Sequence, residues 1–477
     1  MRSAAILLTL VAGAGAGSAV LAAGGHVDSD AVLAEAKQRL KSMAETMASY
    51  SRTREKGLKA PAREVLALSR FLDLGAGDAA ARKTARRYIA KTAQAFLAAC
   101  VPRGRVSYAE NRTMRGWPVV IGKEGRGGAP EFESYQFGYV AGAVAAGARH
   151  AYASGDVEKA SLLVAAVVGA FEDGFLTSDP ERTKVDKGVV VFVPRRASAG
   201  RRRRYAEVHG SDEGGCLAGP QALNHGLSAA TGAIHLLRAL AAAPDADEAL
   251  VERLRGYVLG VARFFAGSLR ERRTTAADPY PKPGTTYYLW KYRDLSACAA
   301  LNATNKNRWE DISHAGVEAN FVYELRALLP READAAGVTP GVVHGMLVTF
   351  LTRIVLDAKR DRKQHDGGRF ACSMDRSDAH YFEKHCSPSS TRATRDLRAE
   401  GAVGWLPLAV AARGGDEDLG CDAARVVAEV LEELEAAAPR VSTTTLVDVL
   451  LARASFPNAY ADALRCDHRA GHHDGPE

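Results

Sequence analysis

Apolar residues recur along most of this chain at intervals of three and four, the spacing that keeps one face of an α-helix dry. In the stretch 79–101, Ala85, Tyr88, Ile89, Thr92 and Phe96 share such a face. Helices are expected at 30–50, 62–74 and 79–101. Beyond them four segments repeat one plan: a helix rich in small residues, a short turn, a second helix, then a long loop. The first helices fall at 132–152, 221–243, 312–329 and 402–413, with second helices at 157–175, 248–269 and 342–359. Alanine and glycine crowd the first helices (140–148, 226–233), which permits close approach. The second helices alternate charged and apolar positions and keep one wet face. Helix pairs at a regular spacing stack into a repeat or close into a ring. The expected fold is therefore all-α, an α/α toroid of about six helical hairpins over residues 24–465, with a polar tail at 466–477.

Loop lengths place the function. Every long loop (102–131, 177–219, 272–310, 360–401) leads from a second helix to the next first helix, and every reverse connection is short. The long loops and the N-termini of the first helices then share one face, and loops of that length usually carry function. Tyr135, Asn224, His314 and Trp405 sit near the starts of successive first helices, spaced by 89, 90 and 91 residues. A strand signal at 188–193 predicts a small β-hairpin in the second long loop.

Composition narrows the setting. With 47% hydrophobic and 25% charged residues the chain is too apolar to be disordered. Residues 1–23 combine one early arginine, an apolar run and small residues at its end, the pattern of a cleaved secretory signal peptide. Export is the expectation, with no membrane span after cleavage. Seven cysteines suit an oxidising compartment, and Cys372–Cys386 is the preferred bridge because both flank one loop. The formal charge of +7 is concentrated: residues 181–205 hold nine basic and two acidic residues, including the run from 201 to 204. Such a patch can serve nucleic acid, but an exported protein balanced elsewhere points to an acidic polysaccharide, with Arg203 among the contacts. No structural zinc site is expected, since no CxxC or CxxH spacing occurs, and a metal at His225, His314 and Glu318 is an alternative to the reading without one. No cofactor is implied, and the chain is expected to act as a monomer.

The chemistry concentrates in 289–314. Trp290, Tyr292, Trp309, Glu310, Asp311 and His314 crowd there, just before a helix that Asp311 or Ser313 could cap. Trp290, Trp309, Trp405 and Tyr135 are candidates for a sugar-stacking platform, or anchors of the long loops in small apolar clusters. Asn224-His225 opens the preceding first helix, with Tyr287 and Tyr288 on the intervening loop. An Asn-His pair opening such a helix, tyrosines on a following aromatic loop and an exported α/α toroid together resemble polysaccharide lyases of the alginate and glucuronan type. That resemblance covers about 135–405 and implies β-elimination on a uronate polymer. Asn224 would neutralise the C6 carboxylate, His225 would remove the C5 proton, and Tyr288 or Tyr292 would protonate the leaving O4. His314 belongs to the same candidate set. Independently of any family, the developing enolate needs preorganised donors, and imidazole titrates near pH 7 without help. Two other classes stay open: a glycoside hydrolase using Glu310 and Asp311, whose adjacent carboxylates would normally diverge, and a non-catalytic helical-repeat glycan-binding protein.

Overall fold

The computed structural model describes residues 58–73, 79–106, 113–118, 131–132, 134–176, 183–186, 189–192, 223–276, 278, 283–291, 309–310, 312–355, 374, 404–409, 419, 422–423 and 426–427. The signal segment, the helix expected at 30–50, Cys372–Cys386, the arginines 201–204 and the tail lie outside them. Among the described residues Cys100 is a free, half-buried thiol.

The chain is mainly helical. Its helices are α1 (Lys59–Asp73), α2 (Ala79–Ala99), α3 (Ser134–Ala153), α4 (Val157–Gly174), α5 (Leu223–Ala241), α6 (Glu248–Ser268), α7 (Ile312–Leu328), α8 (Pro330–Ala335) and α9 (Pro340–Thr349). A π-helical turn, Phe350–Ile354, continues α9, and 404–409 is helical. The capping chemistry explains several of these limits. Asp156 accepts from the Lys159 amide to open α4, and Asp247 accepts from the Ala249 and Leu250 amides to open α6. Thr339 caps α9 ahead of Pro340, which is pre-set for a first helical turn. Gly155, at φ +82°, makes the tight turn between α3 and α4.

The expected hairpin is present: β4 (Thr183–Asp186) pairs antiparallel with β5 (Val189–Phe192), and β5 lies against α6. Two further small sheets add to the expected elements. β1 (Val101–Val106) pairs antiparallel with β2 (Thr113–Gly116) and parallel with β3 (Glu131–Phe132). β6 (Arg270–Arg273) pairs antiparallel with β7 (Thr286–Leu289), which packs on α9. No described helix is long and apolar enough to cross a membrane.

The first helices of the pairs pack on one another in succession, α1 on α3, α3 on α5 and α5 on α7. The α3–α5 contact is the tightest. A Cβ built on Gly138 would lie 2.0 Å from the Ser228 carbonyl oxygen, and one on Gly232 would lie 2.8 Å from the Gly138 carbonyl oxygen. The two backbones touch there, and only glycine allows it. Further along, Gly404 meets the Gly316 carbonyl oxygen just as closely. The second helices pack against the first, α4 on α3 and α6 on α5. Phe137 of α3 packs with Phe171 and Phe175 at centroid distances of 5.3 and 4.9 Å, and Trp117 closes this cluster. Buried Trp117 donates its indole N–H to the Phe96 carbonyl at 2.9 Å.

At their C-terminal ends α1, α3, α5 and α7 meet in a charged network. Asp73 accepts from both Arg149 (2.9 Å) and Arg238 (2.8 Å), tying three helices together. Arg70 of α1 reaches Glu324 of α7 and donates to Asn320 at 2.9 Å. His150 is bonded to Ser69 at 3.1 Å. His235, 3% exposed, makes no hydrogen bond through either ring nitrogen and stands 3.9 Å from Glu324. Burial opposes ionisation of Asp73 and Glu324, but the facing arginines outweigh it and hold both carboxyls below their usual range. Burial, aided by the neighbouring arginines, lowers both histidines to about 4.

Two consequences follow for stability. Gly138→Ala should push α3 and α5 apart and cost roughly 1–3 kcal/mol or more, read as a lower denaturant midpoint at unchanged slope. Acid should weaken the fold in two stages. Between pH 6.5 and about 4 the unfolded chain takes up protons that His150 and His235 refuse, so stability present at neutrality falls, by at most roughly 3 kcal/mol per histidine. Lower still, protonation of Asp73 and Glu324 removes their contribution. The double variant His150→Gln with His235→Leu should flatten the fall in melting temperature between pH 7 and 4.5; an unchanged slope would contradict this origin.

Candidate functional site

The N-terminal ends of the same helices carry the candidate chemistry. The contacts between Gly138 and Ser228 at one end, and between Arg149, Arg238 and Asp73 at the other, run α3 and α5 parallel and in register. His235 beside Glu324, each thirteenth in its helix, sets α5 and α7 level there. Trp290, touching Phe265 late in α6 and Glu318 early in α7, puts the start of α7 at the end where α5 begins. Tyr135, Asn224 and His314 are the second, second and third residues of α3, α5 and α7, so they share one end of the bundle.

Glu310 and His314 form the best-defined element. Glu310 is fixed by its backbone on both sides, donating to the Trp290 carbonyl at 3.0 Å and accepting from the Met374 amide at 3.1 Å. A bridge between Lys291 and Trp309 continues this pairing. The carboxylate of Glu310 is fully buried, and the His314 ring, 28% exposed, lies four residues on with Nδ1 3.6 Å from Oε1. That is ion-pair distance, a half-exposed imidazole backed by a buried carboxylate. One turn further, fully buried Glu318 accepts from the Trp290 indole N–H.

Asn224 is 1% exposed, and its Oδ1 has no hydrogen-bond partner. His225, next to it, is half-buried. Asn224 opens a stripe of buried polar residues along α5, continued by Ser228, Thr231 and His235 at helical spacing. Thr231 returns its hydroxyl to the Leu227 carbonyl at 2.9 Å. The stripe is visible as a period in the sequence, where only Asn224 stands out as a functional candidate. His235, at the end of the stripe, is packed but not hydrogen-bonded.

The aromatic platform is corrected by burial. Trp290 and Trp405 are 0% exposed and cannot offer a face to a sugar. Trp290 meets Phe265 edge-on at 5.8 Å and Trp405 at 6.3 Å, and Trp405 stacks on Phe350 at 5.1 Å. They are the anchors, wedged between first and second helices. Trp309 remains half-buried, with the Lys291 ammonium 3.7 Å above its ring. Glu310, too, is not a surface contact but the buried support of His314.

Tyr287 is buried and receives a hydrogen bond from Arg353. Tyr288 is half-buried, its ring over Gly345 of α9 and its backbone N–H bonded to Thr349 Oγ1 at 2.9 Å. Burial, then Glu271, raises its hydroxyl pKa above 10. The Gly345 and Thr349 contacts seat Tyr288 against α9. Tyr292, Asp311 and Arg203 lie outside the described residues.

Comparison with known protein families, characterised proteins and solved structures gives no match.

If Trp290 and Trp405 are anchors, their loss is paid in stability. Trp290→Phe should cost roughly 1–3 kcal/mol, because the buried Glu318 carboxylate loses a donor, and Trp405→Ala roughly 3–5 kcal/mol. Trp309→Ala should leave the denaturation midpoint nearly unchanged. Equal midpoints for all three would return the buried pair to a binding role.

Proposed function

We propose that this chain is an exported α/α-toroid enzyme that cleaves a uronate polymer by β-elimination, with His314 as its base. The observation that carries this reading is the His314–Glu310 pair at the start of α7. A carboxylate behind Nδ1 favours the tautomer that carries its proton there, leaving Nε2 as the acceptor. Succession of α1, α3, α5, α7 and 404–409 as inner helices, with α2, α4, α6 and α9 outside, supports the toroid. In such a ring the Arg70–Glu324 and Asp73 contacts would close the far end of the lumen, leaving the end with Asn224 and His314 as the mouth.

Nε2 takes the C5 proton, the C5–H electron pair moves into an enolate on the C6 carboxylate, and collapse forms the C4–C5 double bond as the C4–O4 bond breaks. O4 leaves with a proton from a tyrosine, for which Tyr292 and Tyr288 are the candidates. Asn224, 1% exposed and with an acceptor as its unpartnered atom, is not placed to neutralise the C6 carboxylate, so in this reading the N-terminal ends of the first helices supply the charge step. His225, beside Asn224, is a second imidazole for the same substrate. This reading takes His314 as the base in place of His225, on the strength of the buried Glu310 carboxylate beside it. The same burial argues against Glu310 as the acid of a hydrolase, which must reach a glycosidic oxygen.

The test is a panel of polyuronates followed by ultraviolet absorbance, since elimination leaves a conjugated unsaturated uronate and hydrolysis does not. Absorbance should rise on at least one polymer. His314→Ala should lower kcat by about 10²–10⁴-fold. Glu310→Gln should lower it less, mainly in kcat, and His225→Ala should act mainly through KM. New reducing ends without the chromophore would assign a hydrolase, and silence in both assays a glycan-binding protein.

A further inference from the structure

The second site is on the outside of α2, at the opposite end of the molecule from His314. Along this helix Lys83, Arg86, Arg87 and Lys91 are all exposed. They fall on one arc of the helix, opposite the buried face of Ala85, Tyr88, Ile89, Ala93 and Phe96. None of the four makes an ion pair among the described residues, although other surface arginines do: Arg253 pairs with Glu172 and Arg255 with Glu252. The helix contains no acidic residue. Lys83, Arg87 and Lys91 stand at i, i+4 and i+8, where like charges repel and a carboxylate would normally be placed to offset them. A helix that keeps such a row without counter-charges holds an unbalanced positive field.

We propose that the exposed row Lys83–Arg86–Arg87–Lys91 on α2 is a docking surface for an acidic polysaccharide, separate from the catalytic mouth. The choice of partner rests on what surrounds the charges. The other exposed positions of α2 are Ala79, Ala80, Gln94, Ala95 and Ala98. Single-stranded nucleic acid is held by aromatic side chains on which bases stack, and a membrane surface by large apolar side chains beside the cations. Neither kind is exposed on this helix. A polymer recognised by charge alone, with carboxylates repeating along an extended chain, suits a row that advances about 6 Å per helical step of four. The row is remote from the mouth. Arg86 acts electrostatically on His150 near the end of α3, and Tyr135 at its start is roughly 20 Å away along the helix. A long polymer can hold both places at once, which raises its effective concentration at the mouth.

The identity of the polymer rests on the function proposed above; the existence of the surface does not. The experiment compares the full chain with a variant carrying Lys83→Gln, Arg86→Gln, Arg87→Gln and Lys91→Gln, and with a control in which Lys and Arg are exchanged at all four positions. Fluorescent polymannuronate of long and short chain length, a single-stranded DNA oligomer, and vesicles containing phosphatidylglycerol are the probes. Glutamine is a good helix former, so melting should be unchanged or slightly higher in the variant. Long polymannuronate should bind the variant roughly tenfold or more weakly at low salt, with a flatter salt dependence, while the exchange control binds normally. Turnover of short oligomers, where it occurs, should be unaffected. Lost binding without any turnover would keep the surface and sink only the enzymatic reading. Binding within twofold of the parent would overturn the surface, and tighter, variant-sensitive binding of DNA or vesicles would overturn its partner.

Discussion

The backbone contact between α3 and α5 is the constraint on which the rest of the molecule depends. With Gly138 set against the Ser228 carbonyl and Gly232 against Gly138, the two helices have no freedom to slide. Their register is thereby fixed along the full length. Three turns past the contact, Arg149 and Arg238 arrive together at Asp73; one turn before it, Tyr135 and Asn224 arrive at the same level. Side chains larger than hydrogen at these glycines would separate the backbones and shift both ends together. Small residues in the first helices are therefore not merely permissive packing but the reason that residues 89 apart in sequence stand at one level of the bundle.

The two ends of that register differ in how their polar groups are satisfied. At the C-terminal end charges are matched across helices, Asp73 with two arginines and Glu324 with Arg70, in the manner that makes buried ionic groups tolerable. His235 is the exception, an uncharged ring among charges. At the N-terminal end the described polar groups include a partly exposed imidazole over a buried carboxylate, and a buried carboxamide with an unpartnered oxygen. One end ties the helices together through ion pairs, the other carries the imidazole–carboxylate pair.

Much of this is legible in the residues. The helices appear within a few residues of their expected limits because apolar periodicity and caps such as Asp156 and Asp247 are local signals. The Glu310–His314 pair is close in sequence, but its geometry depends on how the segment before α7 pairs with Trp290. What escapes such reading depends on partners distant in sequence. Whether Trp290 and Trp405 are anchors or platforms is decided by Phe265 and Phe350, which belong to second helices and cannot be assigned to them from spacing. The β6–β7 pair is hidden because its first strand is Arg-Glu-Arg-Arg, a polar run that reads as a loop and is a strand only through pairing with Thr286–Leu289. The charged network is hidden for a similar reason. Asp73, Arg149, Arg238 and Glu324 each look like a solvated helix end until four helices are brought together.

The base assignment turns on the same distinction between local and distant signals. An Asn-His pair at a helix start draws attention as a motif, and on that ground alone His225 is the natural base. An imidazole becomes an effective base when a second group fixes its tautomer and its orientation, and that group must itself be held still. Glu310 meets the requirement through its backbone, which is bonded to Trp290 on one side and Met374 on the other, while Trp290 is clamped by Phe265, Trp405 and Glu318. The tryptophan expected as a sugar platform thus acts at one remove. By locking the segment that carries Glu310, it keeps a carboxylate behind His314, and a buried aromatic layer serves the candidate chemistry without touching a substrate.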